Sequence, residues 1–304
     1  MSTSARRLLF RPGIAPEASG VVNRVTPAQA GWDLLGVETR RMARGETWSH
    51  ATAGCESALV ILGGSCSVRS NRGTWEQVGG REDVFGGIAH ALYLPRGTEF
   101  DLCALSDRLE LAHAWVPSDQ DHEPAYVRPS DCRVELRGGH NAPRQINHII
   151  PPGFNCHRIV SCEVYTPGGN WSSYPPHKHD DHRTDDAGQV LEADLEEVYL
   201  YRIREAAGPR PDGAPRGYAV QHIYTDDRTL DELVAARDHD IVLVPEGYHP
   251  VSAAYGYDCY YLNFLAGSAQ SLACTDDPDH AWTKDTWDRQ DPRIPMVTAE
   301  ETRG

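Results

Sequence analysis

The chain reads as all-β, two antiparallel β-barrel (jelly-roll) halves in tandem, and three observations predict it. Short apolar or alternating runs recur along its 304 residues, separated by Gly, Pro and Asn turns. With 27 Gly and 21 Pro, the composition favours turns over long helices. A weak internal echo sets Leu94-Pro95-Arg96-Gly97-Thr98-Glu99 against Val244-Pro245-Glu246-Gly247-Tyr248-His249, each behind a short apolar strand.

In chain order, Ala58 to Leu62 is a β-branched apolar run closed by Gly63-Gly64, and Cys66 to Ser70 alternates into the turn Asn71-Arg72-Gly73. Ala91 to Pro95 and Leu109 to Trp115 follow as strands. The second half repeats the scheme with Arg158 to Tyr165, Val198 to Ile203, Gly217 to Tyr224, Asp240 to Val244 and Tyr257 to Leu265. Thr229 to Arg237 is the one segment read as a turn of helix. Asp180 to Asp194, with five Asp and no apolar period, reads as a solvated loop at the mouth of the second barrel. The connection near Pro129 to Pro152 divides the chain into 1–140, an N-terminal barrel, and 141–304, a C-terminal barrel with its tail.

The formal charge is −15, from 29 Lys+Arg against 44 Asp+Glu. Such a surface does not suit nucleic acid, and an anionic substrate needs a local cation to hold it. No apolar run is long enough to cross a bilayer, and the first residues carry no signal-peptide pattern. Eight scattered cysteines without a Cys-x-x-Cys pair read as reduced, mostly buried thiols of a cytoplasmic protein. The sequence allows a homo-oligomer.

Chemistry concentrates in the second half. His177 and His179 are one residue apart behind a Gly/Pro turn, so on a strand both project from one face, about 7 Å apart, while Lys178 points away into a structural ion pair. Glu196-Glu197 opens a later strand, and His249 follows a Pro-x-Gly turn. This order of His-x-His, Glu and His is the metal constellation of a cupin barrel. The set His177, His179, Glu197 and His249 suits one divalent ion, with Zn, Mn, Fe, Ni and Co all compatible. Parity allows only one of Glu196 and Glu197 to face inward, and the residues leave open which. The first half has no His-x-His pair, and Glu99 stands where the second has His249, so that barrel is expected to be structural and free of metal.

Tyr199, Gln221 and Tyr261 lie on barrel strands and are the candidate catalytic groups, within reach of a sugar hydroxyl. His222, of opposite parity to Gln221, is expected outside, and His182 is expected in solvent. Trp282 and Trp287 are read as anchors packing the C-terminal tail. No nucleophile elbow and no phosphate-binding Gly loop is present.

GGNWSSYPPHKHD (168–180), LEEVYLYRI, YTDDRTLDE, VPEGYHPV and GYDCYYLNFLAG together resemble the 5-deoxy-glucuronate isomerases of bacterial myo-inositol catabolism. ALYLPRGTEF, NAPRQINHIIPPGF and DPDHAW extend the likeness over nearly the whole chain. Those enzymes are similar to the pectin-pathway ketol-isomerases. The resemblance implies a bicupin, a ligand set of His177, His179, Glu197 and His249, and conversion of 5-deoxy-glucuronate to 5-dehydro-2-deoxy-gluconate, an aldose–ketose isomerisation. Such a reaction uses a divalent ion to stabilise an enediolate while a base moves a proton between carbons. The small sugar-acid substrate needs a cationic partner for its carboxylate, and Arg144, in the matched central segment, is the candidate. Three alternatives stay open at this point: a ketol-isomerase for a pectin-derived keto-deoxyuronate, a cupin dioxygenase, and a non-enzymatic sugar-binding cupin.

Overall fold

The structure is a computed structural model that describes residues 7–13, 20–208 and 216–299. Nearly every regular element is a strand, and each half is a large antiparallel sheet facing a four-stranded one. In the N-terminal half the large sheet runs Ala125–Val127, His90–Leu94, Cys55–Gly63, Leu109–Pro117, Gly36–Met42, Val21–Val25. In the C-terminal half it runs Leu9–Phe10, Ile241–Val244, Leu195–Glu205, Tyr257–Gly267, Val160–Thr166, Arg144–Ile150, Arg133–Arg137. This is the bicupin architecture.

The near-continuous apolar character of the central strands follows from burial on both faces. Leu59 and Ile61 point into the N-terminal half, against Val68, Leu92 and Leu102. Tyr199 and Tyr201 point into the C-terminal half, against Ile223, Val251 and Tyr261. The intervening residues Val60, Leu62, Val198, Leu200, Leu262 and Phe264 meet in a third cluster, where the two large sheets pack back to back.

One buried and one half-buried carboxylate lock this junction reciprocally. Glu56, second in its strand, accepts the backbone N–H groups of His157, Arg158 and Ile159 at 2.7–3.0 Å. Glu196, second in the matching strand, accepts those of Asp33, Leu34 and Leu35 at 2.7–3.1 Å. Each carboxylate thus caps the loop that enters a strand of the other half. The capture also explains why the strand expected from Arg158 begins at Val160.

Several expectations are corrected. Thr229 to Arg237 holds no helix: Asp231–Ala236 is a strand paired with Ala219–Tyr224, turning Val234 and Ala236 inward. Sheet pairing favours alternation over a weak helical signal. The sheets do not part at residue 140, because Leu9–Phe10 pairs with Val242 and Ile241, and Arg133–Arg137 pairs with Arg144–Ile150. The acidic segment 180–194 contains a small hairpin, Arg183–Thr184 with Val190–Glu192, whose buried Glu192 accepts from Arg183 at 2.6 Å. Trp282 is 63% exposed, not the packed anchor expected, whereas Trp287 packs its backbone on Gly139. Glu99 is exposed and points away from the N-terminal interior.

Removing the clamp tests the junction. Glu196→Ala strands three N–H groups that now bond to a charged acceptor, and should lower unfolding stability by about 3 kcal/mol. Glu56→Ala, at a fully buried site, should cost at least as much. Urea unfolding followed by circular dichroism reads the midpoint shift, and an unchanged midpoint would exclude this role.

Candidate metal centre and active-site cavity

Glu197 follows the Glu196 clamp by one residue, so strand parity aims it into the C-terminal half as Glu196 turns to the junction. That settles the ambiguity between the two acids. Glu197 Oε2 lies 2.8 Å from His179 Nε2 and 3.3 Å from His249 Nε2. Its Oε1 accepts from Asn263 Nδ2 at 2.5 Å. Burial opposes the charged carboxylate, but the hydrogen bond from His179 and the electrostatic pull of His179 and His249 overcome it and hold the carboxyl down at about 2.

His249 sits in the turn after Pro245-Glu246-Gly247. Its Nδ1–H donates to the Gly247 carbonyl at 2.8 Å, which leaves the lone pair on Nε2. That Nε2 is buried and makes no hydrogen bond. One ligand atom from each of His179, Glu197 and His249 lies within 4.8 Å of the others. His177 opens the short strand His177–Lys178, paired to Thr275–Asp276, and its ring lies 4.9 Å from the His249 ring. Burial first, then the charges of His249, Arg144 and His179, keep His177 well below the usual histidine range, so it stays neutral and able to ligate.

The orphaned Nε2, the fixed tautomer and the ionised carboxylate fit a divalent cation held by His179, Glu197 and His249, with His177 beside them. Lys178 points away as expected, bonding Asp226 at 2.8 Å and Asp180 at 3.3 Å. His222 is outward on Asp231 at 2.6 Å, and His182 is exposed beside Ser268.

The same cavity is lined by Arg144, Tyr199 and Tyr261. Tyr261 OH shares hydrogen bonds with Ser172 Oγ at 2.6 Å and Ser173 Oγ at 3.3 Å. Burial pushes Tyr261 up to about 12 and Tyr199 well above its ordinary value, so both phenols are proton donors at neutral pH rather than bases. Gln221 is not brought to this cavity: it is buried, and its Oε1 accepts from Tyr201 OH at 2.9 Å. Arg144 is buried and makes no side-chain hydrogen bond or ion pair among the described residues. Its cross-strand neighbour Arg137 is committed to Glu135 at 2.7 Å.

Sequence reading missed Asn263 and His148. Asn263 shares the inward parity of Tyr261 in an otherwise apolar strand, and that polar interruption was the available signal. His148 shares the face of Arg144 and Ile146, lines the cavity, and sets Nε2 3.0 Å from Glu135. Nothing in the sequence joins His148 to Glu135, because the pairing depends on sheet register.

A sequence model of the KduI/IolB family matches residues 8–283. The chain belongs to the KduI/IolB family. It is 40% identical over 273 residues to the 5-deoxy-glucuronate isomerase of Geobacillus thermodenitrificans, covering 90% of this chain and 94% of that one. It is 33% identical to the Listeria monocytogenes protein of the same name, covering 91% of this chain and 97% of the relative. An IolB-like protein from Salmonella typhimurium superimposes with a TM-score of 0.82 at 33% identity, over 91% of this chain and 99% of that one. Oxalate decarboxylase of Bacillus subtilis, known for Mn(II) centres, gives 0.59 at 12% identity over 90% of this chain and 80% of its own, a likeness of fold alone.

The centre makes a graded prediction. His249→Ala should abolish stoichiometric binding of a divalent ion, and Asn263→Ala should weaken it about 10–100-fold by freeing the Glu197 carboxylate. Chelator competition with elemental analysis of dialysed protein measures both. Full occupancy in His249→Ala would remove the assignment.

Proposed function

We infer that the chain is a 5-deoxy-glucuronate isomerase that converts 5-deoxy-glucuronate to 5-dehydro-2-deoxy-gluconate in myo-inositol catabolism. The reading is carried by one cavity lined both by His179 and Glu197, which His249 joins as a ligand-type group, and by the uncommitted Arg144, in a chain that matches proteins of that name over nine-tenths of its length. One divalent ion per chain is the proposed cofactor, held by His177, His179, Glu197 and His249. When bound, it supplies positive charge where oxyanion character develops on the substrate.

The chain's own residues do the rest. Arg144 takes the substrate carboxylate, a charge-assisted contact that offsets repulsion from a chain of net charge −15. Its desolvated position makes that contact worth more than a surface pair. Tyr199 and Tyr261, protonated at neutral pH, donate to substrate hydroxyls, with Ser172 and Ser173 fixing the Tyr261 hydroxyl. Asn263 holds the Glu197 carboxylate in one orientation, and the Gly247 carbonyl holds His249 in one tautomer. The substrate is a small anionic sugar acid. The enzyme works in the cytoplasm, a reading supported by eight cysteines, none of them in a disulfide. No helix among the described residues is long and apolar enough to cross a membrane.

NMR of the metal-loaded protein with 5-deoxy-glucuronate should show the ketose appear, and chelator should stop it. In deuterated water, proton transfer between carbons places deuterium on the new CH2OH carbon, whereas full retention of the original hydrogen would indicate a hydride shift. No ketose from metal-loaded protein would overturn the assignment. Arg144→Ala should raise KM about 100-fold or more, with a smaller change in kcat, and Arg144→Lys should recover part of the loss. An unchanged KM would release Arg144 from the role.

A further inference from the structure

The isomerisation needs a group that takes a proton from one carbon and returns it to the next, and the cavity offers few. Tyr199 and Tyr261 are held protonated. Burial pushes the Cys162 thiol up to about 12, so it too keeps its proton at neutral pH. His179, Glu197 and His249 are turned to one another, with His177 beside them. Among the described residues of the cavity wall, His148 is the imidazole outside that group.

Sheet register puts it there. One ladder runs Tyr199, Asn263, Cys162, His148, Arg133 across the large sheet. At about 4.8 Å per strand, the His148 backbone lies roughly 10 Å from that of Asn263, which holds Glu197. Arg144, four residues back on the same strand, shares the face of His148. The imidazole is oriented through Nε2, which is 3.0 Å from Glu135 Oε2. Arg133 also comes within 3.0 Å of Nε2 and 3.4 Å of Glu135, but it is 69% exposed and solvent can serve it. Glu135 is pinned by Arg137 at 2.7 Å. Burial works against its charge, yet hydrogen bonds from His148 and Arg137 hold its carboxyl below the ordinary range. The ionised carboxylate takes the Nε2 proton, which leaves the lone pair on Nδ1. That Nδ1 is buried and has no hydrogen-bond partner. Burial keeps the ring below the ordinary histidine range against the pull of Glu135, and Arg133 and Arg137 add to the effect. The ring is therefore neutral before reaction.

We propose that His148 is the general base of the isomerisation, with Glu135 as its positioning residue. This role rests on the isomerase assignment above. Nδ1 accepts the proton from C2 of 5-deoxy-glucuronate as the C2–H electron pair forms a C1–C2 double bond and the C1 carbonyl oxygen takes up charge. Glu135 then faces an imidazolium, an ion pair that forms only as the proton moves, so it favours the transition state over the resting enzyme. The Nδ1–H returns its proton to C1, the C2 hydroxyl becomes the carbonyl, and the hydroxyl proton ends on the C1 oxygen. Nothing is consumed, and the net change is isomerisation alone.

Metal-loaded full-length protein serves for each test. In His148→Gln, kcat should fall about 100-fold or more, with KM changed less than about threefold and one metal per chain retained. Glu135→Gln, on the edge strand of the sheet, should lower kcat about tenfold or more at similar KM, with Glu135→Asp recovering part of the loss. Wild-type crystals soaked with 5-deoxy-glucuronate should place C1 and C2 of the bound sugar about 3.5 Å from His148 Nδ1, a result that needs no variant to fold. A kcat in His148→Gln within about threefold of wild type, complete retention of the original hydrogen by the wild type, or a bound sugar whose C1–C2 pair lies away from Nδ1 would each overturn the base role and leave the isomerase assignment standing. Absence of ketose from the wild-type protein would overturn the assignment, and this role with it.

Discussion

The reciprocal capture of backbone N–H groups by Glu56 and Glu196 is the constraint on which this molecule turns. Glu56 leaves water entirely and Glu196 in part, each to accept three successive N–H groups from the opposite half. A buried carboxylate is costly unless its oxygens are satisfied, and here neighbouring backbone supplies the donors without a counter-charge. Burial raises the Glu196 carboxyl while those hydrogen bonds pull it back, so its charge depends on the loop staying in place. A third carboxylate, Glu163, adds to the junction by accepting from Arg81 at 2.8 Å and from the Ala89 N–H at 2.9 Å. The halves are therefore joined by directional bonds as well as by the apolar contact of their large sheets.

That lock has a chemical consequence one residue further on. With Glu196 committed to the junction, strand parity leaves Glu197 no choice but the C-terminal interior, and the same step in the other half presents Ser57. A carboxylate beside two imidazoles makes a place for a cation.

Much of the candidate site was legible because its signals are local. His-x-His parity, the Pro-x-Gly turn before His249 and the order of the ligands need only short-range geometry. Arg144, Tyr199 and Tyr261 could be picked out by strand position and motif, and they line one cavity. Gln221 has the inward parity expected of it but lies on the facing sheet, where Tyr201 takes its amide oxygen. Parity states which face of a strand a residue occupies, and nothing about how far along the cavity that strand is set.

By itself, the sequence determined the all-β class and the two-half organisation, and it marked His177, His179, His249 and one of Glu196 and Glu197 as candidate ligands, since periodicity and motif order are properties of contiguous chain. Only the tertiary structure decided that Leu9–Phe10 joins the sheet of the far half, that Asp231–Ala236 is a strand, that Glu196 turns outward, and that Asn263 orients Glu197. The strand Asp231–Ala236 depends on its hairpin partner Ala219–Tyr224, and the others on partners dozens to hundreds of residues away. Hydrogen bonds across a sheet and carboxylates buried between sheets are set by register and packing, which no local pattern encodes.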